Sequence, residues 1–355
     1  MSKILEMRTK FPQTEHWMDS FHVEDHEYGL AQGNTGVTTS STWVTRMMLN
    51  EPREVHEPEI QKLKKEHPNY GEREIFWAWT LERAKERHQI MLPMWNEGDP
   101  KKGRFSIQLP IYDHNDTEEM IKKGLEAHAV GPNIQVKIPA TKAGIPVFEE
   151  LTYRGVSVMP TICYCVDQAL VCAEAIQRGL DRRAAEGLSN DNINPICAVL
   201  LGMHDDWLRG YVEKEKLVID PDALNYGGIA VWKKVYDTYK ERNIPVRLLT
   251  GYYRHARHWT SFIGGELIMA IPAKWQKRFE VCDVEIKDYM SEPIPAHILD
   301  ELMKLPPFVK AYTEGSLTID DFDTFPPVTM TIHYFSETYD TAILRTREYM
   351  LPKPL

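Results

Sequence analysis

The sequence predicts an α/β chain folded as a (β/α)8 TIM barrel with extra helices at its C-terminus. Three observations predict it. Eight short apolar, strand-like segments recur along the 355 residues. Amphipathic helical patterns fall between them, and a β-then-α alternation repeated eight times implies a parallel sheet that closes on itself. No Gly-rich phosphate or dinucleotide loop follows the first strand, which disfavours a doubly wound open sheet.

The strand segments are 15–21 (EHWMDSF), 36–41 (GVTTSS), 104–110 (RFSIQLP), 134–139 (IQVKIP), 155–164 (GVSVMPTICY), 195–202 (PICAVLLG), 245–253 (PVRLLTGYY) and 266–272 (ELIMAIP). Residues 73–92 carry an apolar helical stripe through Ile75, Trp79 and Met91. Residues 167–187 read as a helix with Asp167 at its N-cap and Gly187 past its end. Residues 229–242 place Ile229, Trp232, Tyr236 and Tyr239 on one face. The charged stretch 50–72 reads as a connecting insertion. From 286 onward proline alternates with helix, Ile298, Leu302 and Leu305 sharing a face, so this tail is expected to pack on the barrel's outside. The whole is expected to be one domain, 1–355, with the barrel over about 15–285 and the helical extension over about 286–355.

Composition narrows the function. The net charge of −10 repels nucleic acid and anionic membranes, so neither is an expected partner. The longest apolar runs are too short to span a membrane, and the N-terminus has no signal-peptide core. Five cysteines, an odd number mostly in apolar stretches, read as reduced thiols of a cytoplasmic protein. No zinc-type spacing surrounds them, and neither a metal nor another cofactor is expected. "MHDDW" (203–207) reads as a helix N-terminus rather than a ligand set, and "YDHND" (112–116) as a loop. The tryptophans near 77–95 read as helix packing.

Lys137 stands out. Strand alternation sets Ile134, Val136 and Ile138 on one face and Gln135 and Lys137 on the other. In a barrel the apolar trio faces the helices and Lys137 the lumen. An amine there is held dry, which raises its neutral, nucleophilic fraction. The bland alternative is a lysine that snorkels out at the strand end.

The stretch "IQVKIPATKAGIPVFEELTYRGVSVMPTICYCVDQALVCAEA" resembles the Schiff-base lysine segment of transaldolases, a superfamily that includes the fructose-6-phosphate aldolases. "HWMDSF", "GVTTSSTWV", "GRFSIQLPIYDHNDTEEMI", "GMHDDW", "GYYRHARHW" and "GGELIMAIP" follow in the family's order, over about residues 15 to 280. The resemblance implies a (β/α)8 barrel and assigns roles. Lys137 is similar to the Schiff-base amine, Asp19 to the general acid–base, Thr161 to the threonine that holds the catalytic water, and Arg254 to an arginine that grips phosphate. Arg257 and Tyr252, in the same stretch, and Thr38, in the Thr-Thr segment, are further candidates for substrate binding.

Several positions depart from the pattern. The family's third-strand glutamate is Gln108. Fructose-6-phosphate aldolases also have glutamine there, but pair it with a sixth-strand tyrosine, where this chain has Leu200. Ser40 and Met159 replace asparagines, Ala198 replaces a serine and Met203 a second phosphate arginine. Tyr252, His204 and Tyr164 are the candidates for a replacement acid. The expected function is a divergent class I aldolase or transaldolase. It would act on a dihydroxyacetone-like or less hydroxylated ketose unit, with an aldehyde acceptor such as a sugar phosphate. A homodimer is an open option. The competing readings are a barrel that binds a sugar phosphate without turnover and a metal-dependent hydrolase.

Overall fold

A computed structural model describes residues 2–351. The strands are β1 (Thr14–Asp19), β2 (Gly36–Thr38), β3 (Arg104–Gln108), β4 (Ile134–Pro139), β5 (Val158–Thr161), β6 (Ile196–Leu200), β7 (Arg247–Gly251) and β8 (Leu267–Ile271). They pair in parallel in the order β5-β4-β3-β2-β1-β8-β7-β6. A parallel bridge between Cys163, just past β5, and Val199 of β6 brings the two ends together. The Leu200 amide donates to the Cys163 carbonyl there at 3.0 Å. The eight strands of the barrel are therefore those expected; β4 keeps its expected bounds, β1 begins one residue earlier, and the others are shorter than expected.

The alternation along the strands separates two apolar layers. Ile134, Val136 and Ile138 join Met18, Phe105 and Val158 in the layer beneath the helices. Trp17, Met159, Ile196, Ala198, Leu249, Ile268 and Ala270 form a second cluster that fills the lumen. Gly36 makes room for it: a Cβ at that position would lie 2.5 Å from the Trp17 ring. The N-terminal end of the lumen is polar. Glu15 pairs with Arg247 and accepts from the Thr35 hydroxyl at 2.6 Å, and the Gln135 amide donates to the Val158 and Asn194 carbonyls.

Two expectations are corrected. The helix expected over 73–92 runs Glu72–Arg87 and gives way to a 3-10 turn, His88–Met91, and a short helix, Leu92–Trp95, with Pro93 in its first turn. The helix Val166–Ala185 is capped by Cys165, whose sulfur accepts from the Gln168 amide, and not by Asp167. Asp167 instead accepts from the Gly315 and Leu317 amides at 2.7 and 2.8 Å, which fastens the C-terminal extension to the barrel. The stretch 50–72 contains a helix, Arg53–Glu66, with His56, Ile60 and Leu63 buried.

The extension does pack Ile298, Leu302 and Leu305 inward, as their spacing predicts. Its last helix, Pro326–Met350, does more than coat the outside. It packs on the helices Ser41–Asn50, Arg53–Glu66 and Glu72–Arg87 and brings Met330, Tyr334 and Phe335 to the C-terminal mouth of the barrel. All five cysteines are free thiols, four of them buried. Among the described residues, no helix is long and apolar enough to cross a membrane.

Candidate active site

A cavity of about 380 Å³ opens at the C-terminal ends of the strands, and both Lys137 and Asp19 line it. Lys137 comes from the middle of β4, in register with Gln108 on one side and Met159 on the other. The side chain points into the lumen and is 8% exposed, so it does not snorkel. Its Nζ donates to the Thr39 carbonyl at 3.2 Å. Burial pushes its pKa below the usual lysine range, and the Asp19 carboxylate opposes that shift. Asp19 ends β1. Its carboxyl titrates at about 6, raised by burial; Lys137, an indole N–H from Trp43 and the Arg46 guanidinium all pull it down. The two groups form no ion pair. The site thus holds an amine and a carboxyl whose charged forms are both disfavoured by burial, an arrangement suited to moving protons near neutral pH.

Thr38, Ser40 and Thr161 also line the cavity. Ser40 is the N-cap of Ser41–Asn50 yet makes no capping bond, so its hydroxyl is free to face the cavity. Thr161 ends β5, and its Oγ1 is buried without a partner. Gln108 has a buried Oε1, also unpaired, but is not part of the cavity wall. Met159 and Ala198 lie in the lumen cluster, away from the wall. Leu200 and Met203 line the wall, as do Tyr252 and Arg254. Arg257 does not: it is bound to the Tyr226 hydroxyl at 2.6 Å and to Asp222. Arg254 is itself tied to Asp206 through Nε and Nη2, at 2.9 and 2.8 Å.

Of the three groups expected to replace the missing acid, two are elsewhere. The Tyr164 hydroxyl is bonded to Thr331 at 2.6 Å, and His204 packs between Trp207 and Phe308. Tyr253, one residue past Tyr252, lines the cavity instead. Its hydroxyl shares a 2.7 Å hydrogen bond with Thr250, and its pKa is raised by burial and by the nearby charge of Asp19. Sequence reading also missed Trp43, Arg46, Lys274, Trp275 and the helix residues Met330, Tyr334 and Phe335. The strand–helix junctions at the mouth are strained. Ile162, after Thr161, has φ 59° and Tyr252 has φ 69°, left-handed conformations unusual for such side chains.

Asp205, His255 and His258 place one potential ligand atom each within 4.8 Å of one another. Their hydrogen bonds serve another purpose. The Arg254 amide donates to His258 Nδ1 at 3.1 Å, so the proton resides on Nε2, which faces Asp205 Oδ2 at 2.8 Å. The Gly228 amide donates to the other Asp205 oxygen. A metal at His258 Nε2 would displace that proton and break the bond to Arg254. Asp205 and His258 fit a relay that fixes the loop after β7 rather than a metal centre.

The fold and site define a parallel (β/α)8 barrel with a buried lysine on β4 and a carboxyl on β1 sharing one cavity. Residues 16–304 match the transaldolase/fructose-6-phosphate aldolase family, and the chain belongs to that family. Curated transaldolases are similar at low identity: 24% over 164 residues for one from Mycobacterium tuberculosis (46% of this chain, 44% of that one) and 29% over 150 residues for one from Trichodesmium erythraeum (41% and 40%). A transaldolase from Thiobacillus denitrificans is 24% identical over 216 residues, 59% of this chain and 58% of its own length. The matches thus span about half the length of these relatives.

Proposed function

We propose that this protein is a class I aldolase or transaldolase that works through a Schiff base on Lys137. One observation carries the reading: a single buried amine, with its pKa lowered, shares a cavity with a carboxyl raised to about 6. Neutral Lys137 attacks the carbonyl carbon of a ketose to give a carbinolamine. Loss of water, with a proton supplied to the departing oxygen, leaves the iminium. The Asp19 carboxylate takes the proton of the hydroxyl β to the iminium carbon. The bond between the α and β carbons breaks, the β carbon leaves as an aldehyde, and the electron pair of that bond forms the enamine on Lys137. The enamine then adds to an acceptor aldehyde, the transferase outcome, or is protonated and hydrolysed, the aldolase outcome. Thr161 holds the water of dehydration and hydrolysis. Tyr253 is the proton donor that stands in for the family's glutamate or tyrosine, being the buried hydroxyl on the wall next to Asp19.

The donor is a short ketone with fewer hydroxyls than dihydroxyacetone. Leu200 and Met203 present apolar surface to it, and an unpaired hydroxyl against such surface is unfavourable. Equal or better turnover of fructose 6-phosphate than of hydroxyacetone-type donors would contradict this. The acidic surface suits a small-molecule enzyme of the cytoplasm with no nucleic-acid partner. A second reading, sugar-phosphate binding without turnover, draws on Ser40, Met159 and Gln108, which stand where the family has asparagines and a glutamate.

Borohydride reduction in the presence of hydroxyacetone separates the two readings. The expected result is a mass gain on the peptide containing Lys137, absent in Lys137→Ala, with activity lost by a factor of at least about a thousand. Tyr253→Phe is expected to retain trapping and lose roughly a hundredfold in turnover. No adduct with any ketone defeats the enzyme reading.

A further inference from the structure

The cavity wall carries four cations, Arg46, Lys137, Arg254 and Lys274, and two carboxylates, Asp19 and Asp206. Arg254 spends two of its donors on Asp206, and its Nη2 also lies 3.7 Å from the sulfur of Met203. Lys137 shares the interior with Asp19. The β7 side of the mouth is thus close to neutral, although it holds the arginine that resembles a phosphate ligand.

Arg46, whose charge also acts on Asp19 at longer range, and Lys274 remain. Neither makes an ion pair or hydrogen bond among the described residues, and both are exposed at the mouth. They flank the strand that bears Asp19. Arg46 stands on the helix Ser41–Asn50, which follows β2, and Lys274 on Ala273–Glu280, which follows β8; β2 and β8 are the two neighbours of β1. The Arg46 guanidinium lies over the Trp43 ring at 5.0 Å, which restricts its freedom. Arg46 and Lys274 also meet in an adjoining depression that adds Lys277. The acid there, Asp25, already accepts a 2.6 Å bond from the Ser20 hydroxyl. In a chain of net charge −10, two unpaired cations at the mouth of a catalytic cavity are a local reversal of sign.

We propose that Arg46 and Lys274 form an anion subsite that receives the phosphomonoester of the substrate, on the β1 side of the mouth instead of at Arg254. The assignment rests on the aldolase reading above and adds the polarity of the bound substrate: its phosphate lies toward β2 and β8. A guanidinium offers paired donors to two phosphate oxygens, and the ammonium offers a mobile point charge to a third.

Equilibrium titration of the full-length protein with inorganic phosphate, followed by calorimetry at fixed ionic strength, tests it. Arg46→Gln and Lys274→Met are each expected to weaken phosphate binding about tenfold, and Arg254→Gln by less than about threefold. Both substituted side chains are exposed, and circular dichroism checks that each variant is folded. Phosphate binding that survives both substitutions, that is lost chiefly in Arg254→Gln, or that is absent from the wild type overturns the subsite. Trapping of Lys137 with hydroxyacetone, an uncharged ketone, is read on the same wild-type preparation. Failure of trapping with phosphate binding intact defeats the Schiff-base reading and leaves the subsite in place; the reverse result defeats the subsite alone.

Discussion

Asp19 ties the chemistry of the site to a measurable pH dependence. Its folded-state pKa of about 6 lies above the ordinary aspartate value of 3.8, because burial disfavours the carboxylate. In the proposed role of base it must be ionised, so turnover is expected to fall as pH drops through about 6, and Asp19→Asn is expected to lose both that limb and most of the activity. The sign for stability is the opposite. The folded state holds this proton where the unfolded chain has released it, so stability is greatest below pH 3.8 and declines as pH rises to about 6. Asp19→Asn is therefore expected to be more stable than wild type at pH 8, by on the order of 2 kcal/mol, with the gap closing towards pH 4. Denaturant titrations at the two pH values check this. A gap that does not change with pH would mean that the carboxyl is well solvated. Lys137 could be found in the sequence because strand alternation sends every second side chain inward, and Asp19 because HWMDSF resembles the family's first strand with its acidic residue. Tyr253 could not: both Tyr252 and Tyr253 line the cavity, and nothing in the local pattern shows that the second one lies next to Asp19, a placement that depends on the left-handed turn at Tyr252.

Elements were legible where periodicity decides them and obscure where a tertiary partner does. All eight strands could be read because each is a short apolar run between turn residues. The Asp167 cap was misplaced because Asp is the stronger N-cap residue by propensity, whereas here a distant loop claims its carboxylate and a cysteine takes the cap. The same blindness hid the C-terminal helix at the cavity, since an amphipathic stripe reveals that a face is buried but not against what. Asp167 makes this testable. It is 6% exposed and satisfies two backbone amides of the extension. Asp167→Ala removes both acceptors and is expected to destabilise the protein by about 1–3 kcal/mol. Hydrogen exchange is expected to quicken first over residues 313–318, before the barrel strands. Uniform loss of protection would mean that the carboxylate supports the helix Val166–Ala185 instead.

At the scale of the whole molecule the barrel divides its labour between its two ends. The proposed chemistry gathers at the C-terminal mouth, where Lys137, Asp19, Thr161 and the strained turns lie, while the N-terminal end is closed by a polar plug. Glu15 anchors that plug through Arg247 and Thr35, and the Arg104 guanidinium, also largely buried, lies in the field of Arg247. Removing the Glu15 charge leaves two guanidinium groups facing one another without a counter-ion. Breaking a fully buried pair in this way costs about 3–5 kcal/mol. Glu15 is 9% exposed and Arg247 more so, and solvent reduces the effect to roughly 2 kcal/mol. Glu15→Gln is therefore expected to lower the denaturation midpoint, most visibly at low salt, while kcat, KM and borohydride trapping stay within about twofold of wild type. The apolar cluster of Trp17, Met159, Ala198 and Leu249 fills the lumen between the plug and the catalytic layer. A loss of trapping in parallel with stability would show that the lumen transmits strain from one end to the other, and that the position of Lys137 depends on the far side of the barrel.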